Sequence, residues 1–234
     1  MATRPIFIPT KEKPGVRVAT IEFNWFPGLS LPQKQKCIES LHTAATEQHG
    51  VGNVLEISSK SQVKIGRELS AFNLTFKENH VSQLTVEAAF QGSKIFQQGG
   101  PYTDLYAASP RDAKRDLRLR NSGPLIGFMY SARHWPLEPK TLFYDWLYLS
   151  ALRQNPQKAK QLLYYEGFTD IEFNPSRSFS CQARSAALYV HLSKQGLLES
   201  KMESPDAFER YISNLNISDS AAADENNNEQ LNLF

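Results

Sequence analysis

The stretch Thr85-Val-Glu-Ala-Ala-Phe-Gln-Gly-Ser-Lys94 is the part of the sequence around which the predicted fold is organised. As a helix it places Glu87, Gln91 and Lys94 at positions i, i+4 and i+7, so their side chains share one face. A carboxylate, an amide and an amine on one face can form the centre of a reaction site. The alternative is a solvated polar face on an ordinary amphipathic helix, and this stretch alone leaves both open.

Composition is typical of a soluble globular protein with one sizeable domain: the 234 residues are 41% hydrophobic and 21% charged. No apolar run approaches the length of a membrane span, and the first residues lack the hydrophobic region of a signal peptide. Cys37 and Cys181 have neither metal-ligand nor redox spacing, so we predict free thiols in a reducing cytoplasm. The five histidines show no ligand spacing, and we expect no metal and no cofactor.

Local patterns predict short strands near the N-terminus and helices through most of the remaining chain. Alternation with β-branched residues indicates strands, and starts such as Ser109-Pro110 indicate helices. The predicted strands or extended segments are 5–9, 16–26, 54–60 and 168–173, and the predicted helices are 32–45, 85–96, 111–120, 140–155, 157–165, 182–195 and 202–215. The predicted fold class is therefore mainly α, a single helical domain with a few short N-terminal and peripheral strands. From residue 216 the composition predicts a disordered C-terminal tail.

Several segments, in this order, resemble the NADAR family, the YbiA-like proteins. Leu69-Ser-Ala-Phe-Asn73 resembles the family's Leu-Ser-Asn-Phe signature, and residues 85–94 resemble its Glu-His-Tyr-x-Gln-x-x-Lys helix. Ser109-Pro-Arg-Asp-Ala-Lys114 resembles its Ser-Pro-x-x-Ala-(Lys/Arg) helix start, and Trp135 is placed like its tryptophan before the next helix.

Two positions depart from the family pattern. Ala88 replaces the histidine of the central motif, and Phe168-Thr-Asp-Ile-Glu172 stands roughly where the family has a Trp-Gly-Asp element. The longer N-terminus and the loop at 99–106 look more like the branch that serves as antitoxin to DNA-modifying ADP-ribosyltransferase toxins of the DarT kind. The resemblance implies a YbiA-like domain over residues 1–198, followed by a possible short helix and linker at 199–215.

The implied activity is hydrolytic removal of ADP-ribose from the exocyclic amine of guanine in DNA. The implied partners are ADP-ribosylated DNA and the functionally paired toxin. Such a reaction protonates a poor nitrogen leaving group while positive charge develops at the anomeric carbon. Glu87 is the candidate for proton transfer, and a neutral Lys94 can attack the ring-opened ribose and pass through an imine. A purely electrostatic Lys94, with Glu87 activating water, remains open.

The candidate substrate-binding residues come from the resemblance and from position. Gln91 can orient the substrate, and Phe72 and Trp135 either stack on a base or pack in the core. The loop hinged by Gly99 and Gly100 can close over the substrate. The full set is Phe72, Asn73, Gln91, Tyr102, Thr103, Asp104, Trp135 and Asp170.

A basic stripe on the predicted helix 111–120 is the candidate contact for DNA or the pyrophosphate. It comprises Arg111, Lys114, Arg115 and Arg118. The alternative is a surface helix balanced by Asp112 and Asp116.

The last residues, Gln230-Leu-Asn-Leu-Phe234, resemble the pentapeptide by which bacterial proteins bind the DNA polymerase sliding clamp. Leu231, Leu233 and Phe234 would fill an apolar groove, and Gln230 would hydrogen-bond at its edge. Residues 216–229 would then act as a flexible tether that concentrates the domain near replicating DNA.

Two other functions remain open from the sequence. The same fold can act as an N-glycosidase on a free nucleotide or a riboflavin-pathway metabolite, or the chain can be a non-catalytic antitoxin that binds and blocks its toxin.

Overall fold

The computed structural model describes residues 1–78, 81–176 and 178–223. More of these residues lie in helices than in strands, so the predicted mainly α class is confirmed. The strands are β1 (Ala2–Pro9), β2 (Val16–Phe23), β3 (Val54–Glu56), β4 (Thr75–Glu78), β5 (Val81–Thr85), β6 (Lys94–Phe96), β7 (Leu125–Tyr130), β8 (Arg133–Trp135) and β9 (Gly167–Thr169). The helices are α1 (Leu31–His49), α2 (Lys64–Glu68), α3 (Val86–Gly92), α4 (Pro110–Arg115), α5 (Arg118–Asn121), α6 (Leu142–Gln154), α7 (Pro156–Ala159), α8 (Gln182–Lys194), α9 (Leu198–Lys201) and α10 (Pro205–Ala223). Two 3-10 segments occupy Thr103–Ala107 and Lys160–Tyr164.

An N-terminal sheet with strand order β2-β1-β9-β3 joins the two ends of the domain. β1 and β2 pair antiparallel, and β9 pairs antiparallel with β1 and parallel with β3. The predicted alternation in β2 is confirmed because Ile21 and Phe23 are buried in one core cluster with Leu41 of α1. This sheet brings the loop after β9 beside β1 and α1.

The main core is built around α6 and α8, which pack against each other. An aromatic cluster fills it: the Phe128 and Phe143 ring centroids lie 4.7 Å apart, and those of Phe90 and Phe128 lie 5.4 Å apart. Leu147 and Leu149 are fully buried, as the hydrophobic pattern of the predicted helix 140–155 requires. Because Phe90 belongs to α3, this cluster fixes α3 against α6.

The prediction of one helix over 85–96 is wrong beyond Gly92, where α3 ends. An ideal Cβ on Gly92 would lie 2.6 Å from a ring carbon of Tyr106, so only glycine lets the 3-10 segment approach this closely. Residues 94–96 then pair with β7 instead of adding a helical turn. Lys94 is therefore the first residue of a strand.

The prediction of one helix over 111–120 is also wrong, because the helical conformation is interrupted at Asp116, between α4 and α5. Asp116 has ψ of 128°, and its carboxylate accepts hydrogen bonds from the backbone N–H and the guanidinium of Arg118, at 2.8 and 2.9 Å. The competing side-chain bonds end the helix locally. The four basic residues consequently do not share one helical face.

Two hairpins, β4–β5 and β7–β8, are absent from the sequence-based prediction. In the second, Ser131 and Ala132 have positive φ values of 49° and 59° without the usual Asn-Gly or Asp-Gly signal. The other predicted elements overlap observed ones, although the predicted helix 157–165 is divided between α7 and the 3-10 segment Lys160–Tyr164, and α10 continues past residue 215 to Ala223. Helix α2 and the 3-10 segment Thr103–Ala107 were not predicted. In the described part of the chain, no helix combines the length and the apolar content needed to cross a bilayer.

Candidate active site

A polar cavity of about 570 Å³ opens beside α3. Its walls come from the loop after α2, from α3 and the start of β6, from the loop after β9, and from the first residues of β1, α1 and α8. The lining includes Arg4, Lys34, Phe72, Glu87, Phe90, Gln91, Lys94, Lys114, Tyr144, Asp170, Glu172 and Gln182. It therefore collects residues that are distant in sequence and carry charges of both signs.

Glu87 and Gln91 share the predicted helix face and meet in this cavity. The side chain of Thr85 caps α3 by accepting a hydrogen bond from the Ala88 backbone N–H at 3.2 Å. Glu87 is only 5% exposed, and its Oε1 accepts a hydrogen bond from Gln91 Nε2 at 2.9 Å. Lys114 Nζ lies 3.5 Å from the same oxygen. The carboxylate is thus held in one orientation by an amide and an ammonium group.

Lys94 reaches the same cavity from β6, although the helical spacing used to predict this was wrong. Its Nζ lies 4.9 Å from the centroid of the Phe90 ring. The pKa of Lys94 is lowered to about 8, chiefly by burial; the charge of Glu87 opposes this decrease, and the charge of Lys114 contributes to it. A lysine with a pKa near 8 has a substantial neutral fraction close to physiological pH, which an amine nucleophile requires.

Asp170 lies in the cavity directly after β9. Its pKa is raised to about 7, chiefly by burial and in part by the buried carboxyl group of Glu56. Its Oδ2 accepts a hydrogen bond from Gln182 Nε2 at 2.9 Å, while Gln182 Oε1 accepts one from the Ala71 backbone N–H at 2.6 Å. Gln182 therefore connects the loop at 69–74 to a carboxyl group that can hold or release a proton near neutral pH.

Arg4 and Lys34 bring positive charge to this cavity, and the sequence analysis missed both. Their charged groups lie 5.4 and 5.2 Å from the ring of Trp25, and Lys34 Nζ lies 3.1 Å from a carboxylate oxygen of Glu172. They come from β1 and α1, where no local motif marks them. The pairing of β1 with β9 brings Arg4 to the site, and the packing of α1 against β2 brings Lys34 there, so the sequence held no direct signal for either residue.

Lys114 is the member of the predicted basic stripe that lines the cavity. Its Nζ lies 5.2 Å from the centroid of the Phe72 ring, which also lines the cavity. Arg111 and Arg115 are exposed on α4. Arg118 instead forms ion pairs with Asp104 and Asp116.

Five of the predicted substrate-binding residues lie outside the cavity lining: Asn73, Tyr102, Thr103, Asp104 and Trp135. The Asn73 amide donates to the Arg67 carbonyl at 2.8 Å. Tyr102 hydrogen-bonds Ser122 and lies under the Arg118 guanidinium, at 4.5 Å from its ring centroid, so the loop expected to close is held by its own contacts. Trp135 is 1% exposed and packs against Phe143 in the core.

The predicted clamp-binding residues Gln230, Leu231, Leu233 and Phe234 lie outside the described residues.

The described cavity has the components for cleaving a bond at an anomeric carbon. It holds an amine of lowered pKa, a buried carboxylate in Glu87, and a second carboxyl group, Asp170, whose pKa lies near neutrality. Arg4, Lys34 and Lys114 add positive charge at the same cavity, which suits a substrate that carries phosphates. Phe72 supplies an aromatic surface for a base.

A family model described as "DarT1-associated NADAR antitoxin" matches residues 2–222 of the chain. The match includes the N-terminal sheet and every residue of the cavity discussed above. No curated protein matches the chain.

Proposed function

The chain belongs to the DarT1-associated NADAR antitoxin family, and from this membership we propose that it is a hydrolase that removes ADP-ribose from the exocyclic amine of guanine in DNA. In this role it reverses the modification made by a DNA ADP-ribosyltransferase toxin. The observation that carries the proposal is the buried Lys94 amine, with its pKa of about 8, in one cavity with Glu87 and Asp170.

In the proposed reaction, ring opening of the N-glycoside gives an imine between the ribose C1 and the guanine amine. Neutral Lys94 adds to C1, and the C–N bond to guanine breaks as that amine leaves with a proton. Water then adds to the lysine imine, which releases ADP-ribose and restores the amine. Because the guanine amine is a poor leaving group, a carboxyl group must supply its proton.

Glu87 and Asp170 are the groups that can move protons in this scheme. We assign Glu87 to proton transfer at the leaving amine, since it is buried and held by Gln91 at 2.9 Å. Asp170, with a pKa of about 7, can accept a proton from a ribose hydroxyl or donate one to it. In the competing route Glu87 activates water directly, and Lys94 only stabilises charge.

The surrounding cations suit the rest of the substrate. Arg4 and Lys34, with Lys114 across the cavity, can pair with the pyrophosphate of ADP-ribose. Arg111 and Arg115, exposed on α4, can contact the DNA backbone, because phosphate contacts give affinity independent of sequence. Phe72 can stack on a base.

The test is reductive trapping on a guanine-ADP-ribosylated oligonucleotide. Borohydride added during turnover should leave a stable adduct that peptide mass spectrometry locates at Lys94. Lys94→Arg keeps the positive charge but cannot form an imine, so it should lose both the adduct and the release of ADP-ribose. Lys194→Arg, at an exposed lysine at the end of α8, is the matched control and should behave like the unaltered protein.

The outcomes separate the proposed routes. Release of ADP-ribose without any adduct would exclude the imine and leave direct water attack. No release of ADP-ribose by folded protein would contradict the hydrolase proposal itself.

A further inference from the structure

A second cavity, of about 620 Å³, lies on the opposite side of α6 from the candidate active site. Tyr144 of α6 lines the active-site cavity, whereas Trp146, Ser150 and Arg153 of the same helix line the second one. At 100° per residue these three positions point away from Tyr144. The two cavities are therefore separate sites that share one helix as a wall.

Unpaired hydrogen-bond donors are concentrated at this second cavity. Within the described residues, five buried side-chain polar atoms lack a hydrogen-bond partner, and two of them are nitrogens of residues that line it: Arg133 Nε and Trp135 Nε1. The indole and guanidinium nitrogens can only donate. The Tyr130 phenol also lines the cavity; burial, together with the charge and the hydrogen bond of the Glu78 carboxylate, raises its pKa, so it keeps its proton and shares it with Glu78. Since buried donors without acceptors are unfavourable, this cluster favours a ligand that supplies acceptor oxygens or nitrogens.

The walls of this cavity favour a flat ring. Phe76, Tyr130, Trp135, Trp146 and Tyr189 all line it, and the Trp135 and Trp146 ring centroids lie 5.5 Å apart. Four of these side chains are at least nine-tenths buried, so the half-buried Trp146, backed by the Trp135 ring, provides the face on which a planar ring can stack.

The charges around the cavity argue against a polyanion such as ADP-ribose. Arg133 is paired with Asp206 and Glu209, and Arg153 is paired with Glu199. Glu78 and Glu199 are the carboxylates that line the cavity, so they balance Arg133 and Arg153 there, and Asp206 and Glu209 pair with Arg133 from outside the lining. Both guanidinium groups are therefore already paired, which leaves neither free for the phosphates of a polyanion.

Glu78 adds an acceptor to a wall that otherwise offers donors. Its carboxylate accepts a hydrogen bond from Ser131 Oγ at 2.5 Å, which orients it at the hairpin turn between β7 and β8. A ring with an oxo group beside a ring N–H matches this combination, since the oxygen can accept from the indole or guanidinium and the N–H can donate to the carboxylate.

We propose that this cavity is a second ligand site, which binds an uncharged planar heteroaromatic lactam such as the guanine ring. The proposal does not depend on the hydrolase reaction, because no residue of the active-site cavity lines the second one.

Tryptophan fluorescence gives a local readout of this site. The chain has three tryptophans, and Trp25 lies near Arg4 and Lys34 of the other cavity. In full-length protein carrying Trp25→Phe, the remaining emission comes from Trp135 and Trp146, which both line the second cavity.

Titration of this protein with guanosine should give saturable quenching. Adenosine lacks the oxo group and the adjacent ring N–H, so its affinity should be lower by at least about 10-fold. ADP-ribose should leave the emission unchanged.

A charge-removing pair of variants tests the carboxylate. Glu78→Gln should weaken guanosine binding by about 10-fold, because it replaces one acceptor with a donor. Glu203→Gln, at an exposed carboxylate outside the cavity, should leave it unchanged. Equal quenching by guanosine and adenosine would overturn the lactam assignment. Absence of saturable quenching in Trp25→Phe protein that retains the unaltered circular dichroism spectrum, as for a cavity that holds only water, would overturn the site.

Discussion

At the scale of single residues, the titration of Lys94 distinguishes a buried amine in a reaction site from a surface lysine. We expect a midpoint near pH 8 for its ε-carbon resonance in NMR spectra of protein carrying ¹³C-labelled lysine, since burial favours the neutral amine. Glu87→Gln should move this midpoint lower, because it removes the carboxylate that favours the charged form. Glu47→Gln, at an exposed carboxylate on α1, should not move it. A midpoint near 10 would contradict the burial of the amine.

The sequence predicted part of this site residue by residue. Glu87, Gln91, Lys94, Phe72 and Asp170 all lie in one cavity, and the i, i+4 spacing correctly brought Glu87 and Gln91 together. Arg4 and Lys34 were missed because their proximity to the site depends on strand pairing and on the packing of α1, neither of which a local pattern encodes. Trp135 was assigned on its place in a motif, whereas its side chain packs in the core.

At the scale of elements, the junction between α3 and β6 depends on Gly92. Gly92→Ala would place a methyl group 2.6 Å from the Tyr106 ring, whose hydroxyl is fixed by a 2.9 Å hydrogen bond to Ser93 Oγ. We expect a loss of about 1–3 kcal/mol in the free energy of unfolding, measured by urea denaturation, from this overpacking. ADP-ribose release should fall as well, because Lys94 lies two residues further on.

A second substitution tests that cause. Adding Tyr106→Leu to Gly92→Ala removes the ring that the methyl group would contact, so the effect of the alanine should become smaller in this background. An equal loss in both backgrounds would mean that the intrinsic properties of the α3 backbone, rather than the Tyr106 contact, require glycine.

The positions at which helices end were the hardest features of the secondary structure to predict from the sequence. Periodicity continued through Gly92 and through Asp116, yet both helices end there, the first at a close ring contact and the second at side-chain bonds to Arg118. The hairpin at Ser131 and Ala132 lacked its usual turn residues. These features follow from tertiary packing or local side-chain competition, neither of which hydrophobic spacing reports.

At the scale of the whole molecule, the active-site cavity is assembled from both ends of the domain. Arg4 comes from β1 and Lys34 from α1, both in the N-terminal part of the chain, and Gln182 comes from α8. The mainly α class and the family resemblance were predictable because they depend on motif order. The assembly of the sheet was not, because β3 and β9 are short and far apart in sequence.

The C-terminal pentapeptide carries a separate prediction for the full chain. Deleting residues 230–234 should abolish pull-down by a bacterial sliding clamp, since the three apolar side chains and Gln230 would supply the docking contacts. Release of ADP-ribose from a short oligonucleotide should stay unchanged, because the residues proposed to carry the reaction, Glu87, Lys94 and Asp170, lie in another part of the chain. Replacing Asn232 alone with Ser is the control and should keep clamp binding. Undiminished pull-down after the deletion would refute the assignment.

Lys94 begins a strand whose backbone is paired with Phe128, and the carbonyl of the preceding Ser93 accepts the Met129 N–H at 2.8 Å. These contacts fix the position of the Lys94 α-carbon. The reach of its Nζ is therefore set by the four methylene groups of the side chain. The length of the side chain at position 94, and not only its charge, should therefore determine whether the amine can react. An aminoethylated cysteine at this position would match the reach of lysine and should keep the proposed activity, whereas ornithine, one methylene shorter, should lose it.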